Sequence, residues 1–193
     1  MLENLSLKKT VLTVATLNLI YFAYEFSIAR QINSVSLFAD SVDFLEDASV
    51  NILIFLAFGW SIKTRVKLGY LFSGLLLIPG IAVLSVAWEK FQNPVTPESL
   101  TLGLTGFGAL IVNGFCAYLL VRFKKSKESL TKAAYLSARN DAFANMAIIF
   151  ASVISLFWAS GWPDLIVGIG ILLLTLDSAK EVLEASRRER ALT

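Results

Sequence analysis

Residues 99–121 read SLTLGLTGFGALIVNGFCAYLLV, 23 residues without a charge. An α-helix rises about 1.5 Å per residue, so the stretch is long enough to cross a ~30 Å hydrocarbon core. Leu68–Trp88, of 21 residues, and Ala142–Pro163, of 22, are uncharged runs of the same kind. Thr10–Tyr24, Ala48–Ile62 and Leu165–Leu176 are shorter, and reach similar lengths once a few polar residues are admitted. The pattern predicts an all-α membrane protein of six transmembrane helices, at about 10–30, 36–61, 66–90, 99–122, 130–159 and 164–186. These helices use most of the 193 residues. The expectation is therefore a single transmembrane domain over 1–193 with no soluble domain.

Composition agrees. Apolar residues make up 56% of the chain and charged residues 17%, against about 25% charged in soluble domains. The net charge of +2 comes from 17 basic and 15 acidic residues, which is no nucleic-acid signature. The single cysteine, Cys116, cannot form an intrachain disulfide. Histidine is absent, which removes the commonest general base and transition-metal ligand. No catalytic constellation and no cofactor or nucleotide fingerprint is present, so neither an enzyme nor a cofactor is expected. Lys8 and Lys9 before an apolar run look like the start of a signal peptide. Glu25 and Arg30 interrupt the cleavage region, and five further membrane segments follow.

Fourteen of the 17 basic residues fall at one end of the expected bundle: in the N-terminal tail, the link at Lys63–Lys67, the link at Arg122–Lys132, and the C-terminal tail. The positive-inside rule then puts both termini in the cytoplasm.

Charged residues at the bilayer centre cost several kcal/mol and tend to be paired and functional. The second helix carries Asp43, Glu46 and Asp47; the fifth carries Arg139 and Asp141. Asp43, Asp47 and Asn51 share one face at four-residue spacing, as do Ser137, Asp141 and Asn145. Both helices contain the string x-Asp-Ala-x-x-Asn, at Glu46–Asn51 and Asn140–Asn145. The two helices run in opposite directions, yet both aspartates lie about 15 Å deep at the helical rise. Four oxygen-bearing side chains, Asp43, Asp47, Ser137 and Asp141, thus come to one depth, as a cation site requires. A structural polar network is the alternative, with Arg139 neutralising Glu46 or an aspartate. It leaves three negative charges over if all four acids are ionised, an excess that calls for a bound cation or bound protons.

The strings Ser36-Leu37-Phe38-Ala39-Asp40-Ser41-Val42-Asp43-Phe44-Leu45-Glu46-Asp47 and Ala133-Ala134-Tyr135-Leu136-Ser137-Ala138-Arg139-Asn140-Asp141 resemble the second- and fifth-helix motifs of the cation diffusion facilitator family. Weaker matches are Gly69-Tyr70, Trp88-Glu89, Asn93-Pro94-Val95, Asn113 and Trp162-Pro163-Asp164. The resemblance implies a homodimeric, proton-coupled exporter of divalent metal in a lipid bilayer, the bacterial inner membrane being the expected location. It implies metal ligands at Asp43, Asp47, Ser137 and Asp141. Two departures matter. Ser137 stands where the family usually has histidine, and only about ten residues follow the last helix, so the family's cytoplasmic metal-binding domain is not expected. The resemblance points to zinc, cobalt or cadmium. An all-oxygen site, with Asn140 or Asn145 as further donors, suits manganese or iron(II) better. The departures also leave open a transport-inactive protein of the same fold, acting as a structural or regulatory partner of another membrane protein.

Overall fold

The computed structural model describes residues 2–57, 64, 67, 71, 81–123 and 129–175. Among them run six helices: α1, Leu2–Ile32; α2, Val35–Ala57; α3, residues 81–92; α4, Ser99–Leu120; α5, Ser129–Phe157; and α6, Trp162–Thr175. A short 3-10 turn, Val121–Phe123, extends α4. No strand occurs among the described residues. Stretches within α1, α4 and α5 are long and apolar enough to cross a membrane. The fold is that of an all-α membrane protein.

The helix starts and stops have local causes. The expected start of α1 near residue 10 is eight residues late, because nothing in Leu2–Lys9 breaks a helix and Leu7 packs with Val11 and Val14. Asn33 ends α1 with φ at 51°, a left-handed conformation that asparagine tolerates better than most residues. Ser34 then caps α2, its hydroxyl accepting from the Leu37 amide at 3.2 Å. Glu98 caps α4 by accepting from the Leu100 and Thr101 amides at 3.1 and 2.7 Å. The Thr101 hydroxyl and these amides hold its carboxyl below the usual carboxylate range. Pro94 and Gly161, both of turn-favouring types, meet through a bond from the Gly161 amide to the Pro94 carbonyl at 2.9 Å. Pro79-Gly80, a pair that marks a helix kink in the sequence, and the expected ends of the second and sixth helices lie outside the described residues.

The bundle packs α1 on α2 and α4 on α5, with α2 also against α5. A Cβ at Gly106 would meet Ile148 Cγ2 at 2.8 Å, so the glycine sets how near α4 lies to α5. Likewise, a Cβ at Gly168 would lie 2.7 Å from the Val35 carbonyl carbon, so α6 rests directly on the first turn of α2.

Two apolar clusters form the core. One joins Ala29, Leu37, Val42, Leu102, Ile148 and Leu165, among others. The second joins Leu7, Val14, Val50, Ile54, Cys116, Leu120 and Ala138 with their neighbours. Along each of α1, α2, α4 and α5 the two clusters occupy opposite ends. The buried polar side chains Asn18, Glu25, Asp43, Asp47, Asn113 and Asn145 fall between them. A polar belt thus crosses the middle of an otherwise apolar bundle.

Candidate metal site

The second helix brings Asp40, Asp43, Glu46 and Asp47 into the belt, all buried. Three- and four-residue spacing keeps Asp40, Asp43 and Asp47 on one face of α2. Asp47 reaches both Ser137 and Asp141 on α5, whose side chains are half-buried. Asp43 lies on the same side, close to Asp40, Glu46 and Asp47, and takes a short hydrogen bond from the Thr175 hydroxyl of α6. The residues expected to form the site are therefore neighbours across α2 and α5. Their carboxylates are spread along the belt rather than gathered at a point. Among the described residues, no three acidic or cysteine side chains come close enough to hold a metal ion together.

The other polar residues divide by role. Asn145 donates to Asp40 Oδ2 at 2.6 Å and accepts from Asn113 Nδ2 at 3.0 Å, linking α4, α5 and α2. It is thus committed to its neighbours rather than turned to the expected ligands. Asn51 donates to the Asp47 carbonyl of its own helix at 2.8 Å. Arg139 is exposed and donates to the Asn140 side chain at 3.2 Å, itself exposed. Arg139, the neutralising residue of the alternative reading, thus lies on an exposed face of α5 with its guanidinium on Asn140. Asn140, one of two residues considered as further donors, is exposed beside Arg139.

Two features escaped the sequence. Thr175 lies 132 residues from Asp43, and no local signal links them. Lys90 and Asp164 form a buried ion pair at 2.8 Å. Asp164 also accepts from the Ser34 and Ser36 hydroxyls, both at 2.6 Å, and from the Val35 and Ser36 amides at 2.8 and 3.1 Å. Lys90 donates in addition to the Asn33 carbonyl at 2.6 Å. A carboxylate on the exposed amides of a helix N-terminus is favourable for the helix dipole, and here it comes from another helix.

Comparison with known proteins agrees with this architecture. The cation efflux transmembrane domain matches residues 11–189, nearly the whole chain. A cadmium, cobalt and zinc/H(+)-K(+) antiporter of Bacillus subtilis (strain 168) is 25% identical over 172 residues, covering 80% of this chain and 54% of the relative. A relative of the same description from Bacillus velezensis is 25% identical over 169 residues, covering 80% of this chain and 53% of the relative. The chain thus spans about half the length of the curated relatives it matches. With a six-helix bundle, a belt of buried acids and a match over almost its full length, the chain belongs to the cation efflux transmembrane domain family, whose members are transporters and not enzymes.

Proposed function

We propose that the protein exports a divalent transition-metal cation from the cytoplasm in exchange for protons, and that the cation binds between α2 and α5 at Asp43, Asp47, Ser137 and Asp141. The observation that carries this reading is the meeting of Asp47 with Ser137 and Asp141 inside a buried polar belt. Asp43 and Asp47 are buried and meet no cationic side chain among the described residues, and a divalent cargo supplies the positive charge they call for. The names of the Bacillus relatives, which describe antiport of cadmium, cobalt and zinc, support the same reading. The positive-inside distribution puts both termini in the cytoplasm, and the family resemblance favours a homodimer in a bacterial inner membrane.

Chemistry suggests how the exchange is driven. Metal binds best to deprotonated ligands. An inward-facing site binds the metal with ionised carboxylates; an outward-facing site releases it as protons take its place. The donor set is oxygen only. It favours manganese or iron(II) over the zinc, cobalt and cadmium that kinship suggests, because borderline ions gain more from nitrogen or sulfur donors.

The spread of the carboxylates along the belt favours a second reading, in which the chain keeps the fold but moves no metal. One experiment separates the two. Purified protein in vesicles is given manganese, iron(II), zinc or cobalt under an imposed pH gradient, with an internal pH dye. Saturable metal uptake matched by proton movement supports exchange; no uptake of any of these ions refutes it.

A further inference from the structure

α6 runs beside α2 in fixed register. At its start Asp164 accepts from the Ser34 and Ser36 hydroxyls and from the Val35 and Ser36 amides. One turn on, a Cβ at Gly168 would lie 2.7 Å from the Val35 carbonyl carbon and 2.8 Å from the Ser36 nitrogen. Two turns further, the Thr175 hydroxyl donates to Asp43 Oδ1. Spacings of four, three and four put Asp164, Gly168, Ile171 and Thr175 on one face of α6. Gly168 to Thr175 is seven residues and Val35 to Asp43 is eight, about 10.5 and 12 Å at the helical rise. The contacts at the start of α6 therefore deliver the Thr175 hydroxyl to the depth of Asp43.

The charged neighbours of Asp43 are acids: Asp40, Glu46 and Asp47 on α2, and Asp141 on α5. Its hydrogen-bond donor comes from α6, and both side chains are buried. Asp47, by contrast, has Ser137 and Asp141 across α5. The proposed ligands are thus divided, with Asp47, Ser137 and Asp141 together and Asp43 held by α6. Among the described residues, no three acidic or cysteine side chains come close enough to hold an ion. The hydroxyl also has a second acceptor in place, since its oxygen lies 3.0 Å from the Ile171 carbonyl of its own helix. A threonine hydroxyl has one proton, so it serves Asp43 or Ile171, one at a time. Asp43 can leave without orphaning the hydroxyl.

We infer that Thr175 is a positioning residue for the metal site: its hydroxyl latches Asp43 to α6 while no metal is bound, and releases it as Asp43 turns toward Asp47, Ser137 and Asp141 to complete the ligand set. This role presupposes the metal site proposed above. Metal binding then breaks a hydrogen bond to a charged acceptor, which is among the stronger kinds. Turning the proton to the Ile171 carbonyl offsets only part of that loss, because this acceptor is neutral. The latch therefore lowers the affinity for metal.

Calorimetric titration of the full chain in detergent with manganese and with zinc, at one pH, reads the affinity without transport. Thr175→Val keeps the shape of the side chain and removes the hydroxyl; Thr175→Ser keeps the hydroxyl. Thr175→Val should bind metal about tenfold tighter than the parent, the low end for a hydrogen bond to a charged group. Thr175→Ser should bind like the parent. A threonine that only packs α6 would leave affinity unchanged or weaken it, so equal or weaker binding by Thr175→Val overturns the latch. Should Thr175→Val fail to fold, Thr175→Ala carries the same readout. A second measurement needs no metal. Unfolding temperatures of the parent, Thr175→Val, Asp43→Ala and the double variant form a cycle. Non-additive effects support the contact, and additive ones overturn it. A parent that binds neither ion removes the proposed function and the latch together; a parent that binds, beside a Thr175→Val that binds equally, removes the latch alone.

Discussion

The Lys90 ammonium meets Asp164 Oδ2 at 2.8 Å, with side chains only 1% and 0% exposed. The pair closes α3 against the start of α6, and through Asp164 it also fastens the start of α2. Removing one partner of a buried pair leaves an uncompensated charge, which costs about 3–5 kcal/mol. Lys90→Met should destabilise the protein by about that much. Lys90→Met combined with Asp164→Asn should recover part of the loss, since no lone charge then remains. Thermal unfolding of the three variants in detergent measures both effects; a double variant weaker than Lys90→Met alone would refute the pairing argument.

Asp47→Ala or Asp141→Ala should abolish metal uptake in vesicles, with the protein still inserted and folded. Loss of groups that only support a metal ligand costs up to about 100-fold, so loss of a ligand itself should exceed that. Uptake within tenfold of the parent in either variant would remove that residue from the site.

Ser137→His introduces an imidazole beside Asp47. Nitrogen donors suit zinc better than manganese. Competitive uptake of the two ions should shift toward zinc. An unchanged ratio in two active proteins would mean that Ser137 does not line the path.

Metal affinity should fall as pH falls from about 8 to 5, because protons and metal compete for the same carboxylates. Calorimetric titration at several pH values reads this directly. Arg139→Gln should leave the curve in place, because the guanidinium is exposed and bound to Asn140. A displaced curve would bring Arg139 back into the mechanism.

Asn145→Leu and Asn51→Leu should differ, although the two asparagines end matching strings. The first strips a donor from Asp40 and an acceptor from Asn113, at a cost of about 2 kcal/mol. The second removes a bond within one helix and a buried amide oxygen that has no partner, so it should be close to neutral. Comparing unfolding free energies in detergent checks the contrast.

That contrast marks how far the sequence can be read. Hydropathy and spacing sufficed for the helices, the depth of the acids and the faces they share, because these follow from one helix at a time. The repeated Asp-Ala-x-x-Asn strings likewise led to the neighbours Asp47 and Asp141. What each side chain touches depends on the helix packed against it. Identical strings therefore placed Asn145 across three helices and left Asn51 turned back on its own. Lys90 and Asp164 are 74 residues apart, and only the packing of α3 beside α6 makes them partners. For Arg139, which the alternative reading offered as a neutralising charge, the helical offset already counts against it. It falls two residues before Asp141, and that offset turns it about 160° away around the helix, by the 3.6-residue turn.

The five donors gathered on Asp164 make the start of α2 the best-anchored point of the belt-bearing helix. A rod held at one end moves most at the other. Asp47 lies 12 residues along α2 from Val35, a lever of about 18 Å at the helical rise. Swinging α2 by about 10° around its anchored end carries that carboxylate about 3 Å sideways, roughly the width of an oxygen atom, while Ser34 and Val35 scarcely move. Were α2 to pivot there, Asp164 would be the fulcrum, and the distance from it would grade the travel of each acid: Asp40 least, Asp43 more and Asp47 furthest.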